Sequence, residues 1–396
     1  MECPEAATLL GVALLRDGNL SGGVALLDAV VRFAPPALSW PASAYLGAVG
    51  ELAAREMVSG GGGGGGATRA LLAAAAHFSR SAEGRAAWEG AGRPHPALGA
   101  AEQPPPLMYR SWGQVLLWAG DEVGARRVFQ RGVDAGFGWV TPWARPTTPL
   151  APLGGSPRPF YDAASAPALA PTLRALEAAA PAIESEFSAL LRRRAGGARA
   201  LPREAAGLHG AGAEGGFWGV LVLAADGAAA PGCAEAPATC ALVGALPLAN
   251  ATRSGQVKFS VLRPGARIRP HAGPTNARLR IHLCLRELAA GPAAATLRVG
   301  GEARNWRAGQ AFAFDESFEH EVLTEAAAAV VAPGGSARAA DLRIVLIVDV
   351  PNPFLENFQD FLSHGVSDDG WARHEEALRA VFTAARGPPA AAETGG

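Results

Sequence analysis

The chain has 396 residues, with 35 basic and 36 acidic side chains and a formal net charge of -1. That length can build two domains, each with its own core, and the charge balance argues against a basic nucleic-acid-binding surface. Ala, Gly, Pro and Arg dominate and Lys258 is the only lysine, a skew of GC-rich coding, so alanine runs and arginine abundance carry little information by themselves.

No apolar run reaches membrane-spanning length. The uncharged stretch 34–50 contains Pro35, Pro36 and Pro41, which a long helix tolerates badly. Glu2 and Glu5 stand where a signal peptide carries positive charge, so no targeting segment is expected. Residues 1–204 read as a helical module. Segments 6–16 and 22–33 are apolar-periodic and are split by Asp17-Gly18-Asn19. Leu10, Gly11, Leu14, Gly23, Leu27, Val30 and Pro35 fall on the spacing of a tetratricopeptide unit, and Tyr109, Trp112, Gly113, Leu116, Ala125 and Phe129 repeat it. The seven glycines 60–66 read as a flexible loop before a helix over 67–78. Segment 138–160 reads as irregular, 163–194 as helix, and 196–216 as a small-residue linker, with the domain boundary at 204/205.

Beyond the linker the period changes to two. Segments 217–223, 257–262, 279–285, 295–299, 311–314, 320–324 and 342–350 read as short strands separated by Gly/Pro turns. Many short strands of this kind point to a double-stranded β-helix, or jelly roll, over 205–386, giving an α+β chain. A terminal helix is expected over 371–385 and a flexible tail over 387–396. Cys233 and Cys240 bracket a short loop containing Pro237, and spacing alone leaves a disulfide and two free thiols equally open. Cys284 reads as a small core residue. The sequon at Asn250 is an acceptor only in a secretory compartment.

The chemistry concentrates between residues 260 and 349. His271 sits in Arg-Pro-His-Ala-Gly-Pro-Thr-Asn, and His320 in Phe-Asp-Glu-Ser-Phe-Glu-His. Arg278, Arg280 and His282 alternate with Leu279 and Ile281, which puts the polar three on one face of a strand. Arg343 opens Arg-Ile-Val-Leu-Ile-Val-Asp-Val. Together with Ser260-Val-Leu-Arg-Pro-Gly, these motifs, in this order over most of 205–356, resemble the aspartyl/asparaginyl β-hydroxylase family of 2-oxoglutarate- and Fe(II)-dependent oxygenases.

The resemblance implies that His271 and His320 ligate Fe(II). Position 273, where related oxygenases place a carboxylate ligand, is glycine here as in the resembled family. Glu316 corresponds to an acidic residue that orients water beside the metal, with Glu in place of the animal enzyme's Asp. Arg343 and Ser260 would bind the distal carboxylate of 2-oxoglutarate, with His282 near its metal-binding end. Arg278 and Arg280 would hold a substrate anion. Cys233 and Cys240 would form a disulfide, as in the animal enzyme, which would suit passage through the secretory pathway. The implied reaction couples O2 and decarboxylation of 2-oxoglutarate to hydroxylation of the β-carbon of Asp or Asn in a polypeptide. Two alternatives accompany it: hydroxylation of lipid acyl chains, and a non-catalytic repeat adaptor with a vestigial barrel. Arg343 follows His320 by 23 residues, and the intervening 326–340 reads as an enlarged hairpin loop.

Overall fold

Among the described residues, six helices open the chain and strands dominate its second half. The computed structural model describes residues 4–16, 19–59, 64–90, 105–136, 139–146, 157–204, 217–246, 255–288, 295–324 and 342–354. It divides into two compact units, with the described residues of the first within Met1–Ala135 and those of the second within Gly136–Asp368.

The first unit is α1 (Pro4–Arg16), α2 (Leu20–Phe33), α3 (Pro36–Ser59), α4 (Gly64–Gly90), α5 (Pro105–Ala119) and α6 (Glu122–Asp134). Asn19 and Asp121 cap α2 and α6, each side chain accepting a backbone N–H three residues on. Small residues set the helix spacing. A Cβ on Gly11 would lie 2.9 Å from Leu27, and one on Gly113 would lie 2.1 Å from Phe129. Leu27, Val30, Ala125 and Phe129 are fully buried, so these repeat positions are packing residues, whereas Leu10 and Pro35 are exposed.

Two expectations fail here. Pro41 lies inside α3 rather than ending it. The ring removes one hydrogen bond in the second turn, and burial of Trp40, Ala42 and Leu46 offsets that loss. Gly64–Gly66 form the first turn of α4 instead of a loop. N–H groups in a first turn need no intrahelical partner, so glycine costs least there. Among the described residues, no helix is long and apolar enough to cross a membrane.

The second unit begins before the expected boundary at 204/205. Its helix α7 (Ala170–Arg193) packs on the sheet of this unit. The strands are β1 (Phe160–Tyr161), β2 (Trp218–Ala225), β3 (Ala228–Ala229), β4 (Gln256–Leu262), β5 (Arg267–His271), β6 (Arg278–Arg286), β7 (Ala295–Val299), β8 (Glu302–Asn305), β9 (Ala311–Phe314), β10 (His320–Thr324) and β11 (Arg343–Pro351). They form a seven-stranded sheet, β1-β9-β6-β11-β4-β2-β3, and a four-stranded sheet, β5-β10-β7-β8. All named pairings are antiparallel.

Period two separates two cores. Phe259, Val261, Leu279, Ile281, Leu283, Ile344, Leu346 and Val348 join α7 in one cluster, where Phe187 stacks on Phe259 with ring centroids 4.0 Å apart. The alternate residues Leu262, Cys284, Val345 and Ile347 face the other way and meet Leu297, Val299, Trp306, Phe314 and Val322. Polar residues in the same alternate positions therefore fall between the two sheets.

Two short helices, α8 (Gly232–Glu235) and α9 (Pro237–Gly244), flank the large sheet. Cys233 and Cys240 are bonded across them, with Cα atoms 5.6 Å apart. Glu186 of α7 caps α9 by accepting from the backbone N–H of Ala238 at 2.9 Å and of Thr239 at 2.8 Å. Segments 60–63, 205–216 and 326–340, the Asn250 sequon, the helix expected over 371–385 and the tail lie outside the described residues.

Candidate active site

His271 ends β5 and His320 begins β10. The two residues are direct partners in the pairing of those strands, and their ring centroids are 4.1 Å apart. His271 Nδ1 lies 2.8 Å from the carbonyl of Arg269, and His320 Nδ1 lies 2.9 Å from that of Phe318. A carbonyl only accepts, so each Nδ1 carries the proton and each Nε2 keeps its lone pair. Burial lowers both ring pKa values, that of His320 to about 4, and the His320 ring further depresses that of His271. Two neutral, oriented imidazoles side by side suit one transition-metal ion. Among the described residues, no group of three or more His, Cys, Asp or Glu is placed to hold a metal.

Gly273 explains why no third protein ligand stands there. A Cβ at this position would lie 2.7 Å from Glu316 Cγ and 2.8 Å from the Glu316 carbonyl, which itself accepts from the Gly273 N–H at 2.5 Å. Any side chain, aspartate included, would displace Glu316. The loop carrying Glu316 is fixed from upstream. Arg145 N–H donates to Ser317 O at 2.9 Å, Glu319 N–H donates to Trp143 O at 2.7 Å, and the Arg145 guanidinium lies 2.9 Å from the Glu319 carboxylate. Arg145 is fully buried. Sequence reasoning read this segment only as irregular, and no local pattern announces it.

Arg343, Ser260 and His282 converge on the inner face of the large sheet. Arg343 donates to Ser260 Oγ at 3.0 Å, and the Trp218 indole donates to the same oxygen at 3.0 Å. The Arg343 guanidinium lies 4.6 Å from the centre of the Trp306 ring. Trp306 in turn donates to His282 Nδ1 at 3.3 Å. An indole only donates, so Nδ1 accepts and the proton of His282 sits on Nε2. That Nε2 is buried without a hydrogen-bond partner, as is Arg343 Nε. Among the described residues no carboxylate pairs with Arg343. Burial alone pulls its pKa down to about 10, with only a small opposing effect from Cys284.

Arg278 and Arg280 lie on the same face of β6, as their alternation predicts, but both are paired within the protein rather than facing an open pocket. Arg280 Nε and Nη2 donate to the two oxygens of Asp349 at 2.7 and 2.8 Å, and Nη1 meets Glu316 Oε2 at 2.8 Å. Arg278 Nε donates to Glu316 Oε1. Both Glu316 oxygens are thus committed to arginines. Burial raises the Asp349 carboxyl, but Arg280 and Arg278 outweigh it and hold the pKa well below the usual carboxylate range. Asp349 was not singled out from the sequence. Period two along β11, counted from Arg343, would have placed it on this face.

Residues 177–353 match the family described as Aspartyl/Asparaginyl beta-hydroxylase. They contain every site residue above except the Trp143–Arg145 segment. Human "Aspartyl/asparaginyl beta-hydroxylase" is 38% identical over 123 residues, covering 31% of this chain and 14% of that protein. Human "Aspartate beta-hydroxylase domain-containing protein 2" is 36% identical over 140 residues, covering 35% of this chain and 34% of that one. Mouse "Aspartate beta-hydroxylase domain-containing protein 1" is 40% identical over 113 residues, or 28% of each chain. These relatives are matched over a third of their length or less. The part of the chain that carries the site, residues 177–353, thus matches the aspartyl/asparaginyl beta-hydroxylase family.

Proposed function

We propose that this chain is a 2-oxoglutarate- and Fe(II)-dependent oxygenase that hydroxylates the β-carbon of Asp or Asn side chains in polypeptides. The two sheets are read as the halves of a double-stranded β-helix, and the helix pairs of the first unit as tetratricopeptide-like. The observation that carries the reading is Arg343, a buried guanidinium with a serine hydroxyl beside it and no carboxylate among the described residues. A buried cation without a counter-ion is costly, and a dicarboxylate co-substrate would supply the missing charge in bidentate form.

His271 and His320 would hold the metal through their Nε2 atoms, and the carbonyls of Arg269 and Phe318 keep both rings turned toward it. His282 would offer its Nε2–H to the co-substrate's oxo-acid end, with Trp306 fixing the tautomer. When bound, iron, 2-oxoglutarate and O2 supply the oxidising power that inserts oxygen into a C–H bond. The protein's share is to orient these groups and to keep the space between the sheets dry. Arg278, Arg280 and Glu316 form the polar end nearest Gly273 and would meet the substrate side chain.

Lack of a third protein ligand favours a second reading, a vestigial barrel. The partnerless atoms of Arg343 and His282 speak against it, because a barrel that bound nothing would not keep two uncompensated buried donors. The test is an anaerobic titration with Fe(II) and 2-oxoglutarate, followed by O2 and mass spectrometry of peptides carrying Asp or Asn. Binding of both ligands with a gain of one oxygen on the peptide is expected. Failure to bind 2-oxoglutarate would sink the proposal.

A further inference from the structure

The polar end of the site carries its own counter-ions. Asp349 faces Arg280 directly in the pairing of β11 with β6 and grips it through two hydrogen bonds. Asp349 is itself fixed by the Gln256 N–H at 2.9 Å. It is also crowded by Gly255, whose φ of +141° and lack of a side chain let the backbone pass where a Cβ would lie 2.8 Å from Asp349 Cβ. Arg280 therefore cannot swing. Its remaining edge, Nη1, is held by Glu316, which also holds Arg278. Among the described residues, two guanidiniums are matched by two carboxylates, and the adjoining part-buried pair Lys258–Glu204 is likewise balanced.

We propose that this pocket is charge-neutral by construction and selects asparagine over aspartate side chains, with Glu316 setting the selection and Asp349 positioning Arg280. The proposal rests on the hydroxylase reading above and names the substrate class within it. An entering aspartate carboxylate would compete with Glu316 for Arg280 and Arg278. Glu316 is held in place, because its carbonyl accepts from the Gly273 N–H and its carboxylate is bonded to both arginines. One of two carboxylates would then be buried without a cation. A carboxamide brings no charge. Its oxygen can accept from a guanidinium and its NH2 can donate to Glu316, so every buried group stays satisfied.

The test uses the full chain with Fe(II), 2-oxoglutarate and O2, acting on an equimolar peptide library with randomised flanks and one central Asp or Asn. Mass spectrometry gives the relative rates of gaining one oxygen. Asn peptides should lead by about tenfold or more, the scale expected when a site is built to hydrogen-bond a group. E316Q and D349N each leave one unmatched cation and should shift the ratio toward Asp. R278Q leaves one unmatched anion and should shift it further toward Asn. A purely structural role for these residues would lower both rates and leave the ratio alone. Wild-type preference for Asp, or a ratio unmoved in all three variants, would overturn the proposal.

A second measurement needs no turnover. Acetate should raise the thermal midpoint of E316Q beyond any rise it gives the wild type through Arg343. Equal acetate responses would also overturn the neutral pocket. If the acetate difference appears while neither peptide class gains oxygen, the neutral pocket stands and the hydroxylase reading fails.

Discussion

Arg343 and Arg280 lie on neighbouring strands, on the same face of the same sheet; Arg343 is buried and Arg280 is half-buried. Their surroundings are opposite. Arg280 is held by two carboxylates, and its pKa rises because Asp349 and Glu316 outweigh the burial that lowers it. Arg343 has a hydroxyl, an indole face and no acid among the described residues, and its pKa falls. Identical side chains at nearby positions thus do different work. A satisfied guanidinium belongs to the scaffold of a pocket, and an uncompensated one marks where a charged ligand belongs.

The largest effect tests whether there is a shared centre for these arginines to serve. His271→Ala should remove Fe(II) binding and, with it, all 2-oxoglutarate turnover. Unchanged turnover would break the comparison at its root. Next, Arg343→Gln should weaken 2-oxoglutarate binding by about 3–5 kcal/mol, the cost of burying a carboxylate without its paired charge. Arg280→Gln should leave that affinity nearly intact. Equal losses by calorimetry would erase the distinction between the two arginines.

Stability of the ligand-free protein sharpens the contrast, because the two arginines should act in opposite directions. Arg280→Met removes the two hydrogen bonds that hold the Asp349 carboxylate and should destabilise by about 3–5 kcal/mol, while Arg343→Met removes an uncompensated charge and should stabilise by about 1–3 kcal/mol. Urea unfolding without metal or 2-oxoglutarate measures both, and a loss in Arg343→Met would count against an orphaned cation.

Acid should act on the same face. An unfolded histidine protonates near about 6.5, whereas folded His320 does so near about 4. Between those values the unfolded chain binds the extra proton. The His320 contribution to the stability of the metal-free protein is therefore complete above about pH 6.5 and falls by up to about 3 kcal/mol toward pH 4, whereas Asp315, raised by burial to about 7, works in the opposite sense over the same range. Asp349, whose pKa is depressed in the fold, contributes stability that is lost only at still lower pH. His320→Gln should remove the loss assigned to His320, and a profile between pH 7 and 4 unchanged from wild type in unfolding experiments would argue that His320 is already charged.

The smallest effect concerns the edge of the site. The Cys233–Cys240 bond and Asp349 line one cavity of about 170 Å³. Replacing both cysteines with alanine should cost about 2–3 kcal/mol, as expected for a short closed loop. It should leave 2-oxoglutarate affinity unchanged. A weakened affinity would tie that cavity to Arg343 instead of to the Asp349 side.

Much of this arrangement was legible in sequence because a strand repeats every two residues. Three strands, 295–299, 311–314 and 320–324, fall where the alternation puts them. Arg278, Arg280 and His282 share a face for the same reason. What stayed hidden depends on register between distant segments. Asp349 meets Arg280 across 69 residues, and Trp306 reaches His282 across 24. Arg145 grips a loop more than 170 residues away, and no local periodicity encodes that. The helix running through Pro41 was missed because tertiary burial overrode a local preference.

β6 gives Leu279, Ile281, Leu283 and Leu285 to the α7 core and Arg278, Arg280 and His282 to the site. Deleting a single residue near its start would turn these apolar side chains toward the space between the sheets and the arginines into the apolar core. Removing two would restore the facing and only shorten the strand. The reading frame of this strand is thus counted in pairs, and odd-numbered insertions or deletions here should be far less tolerated than even-numbered ones.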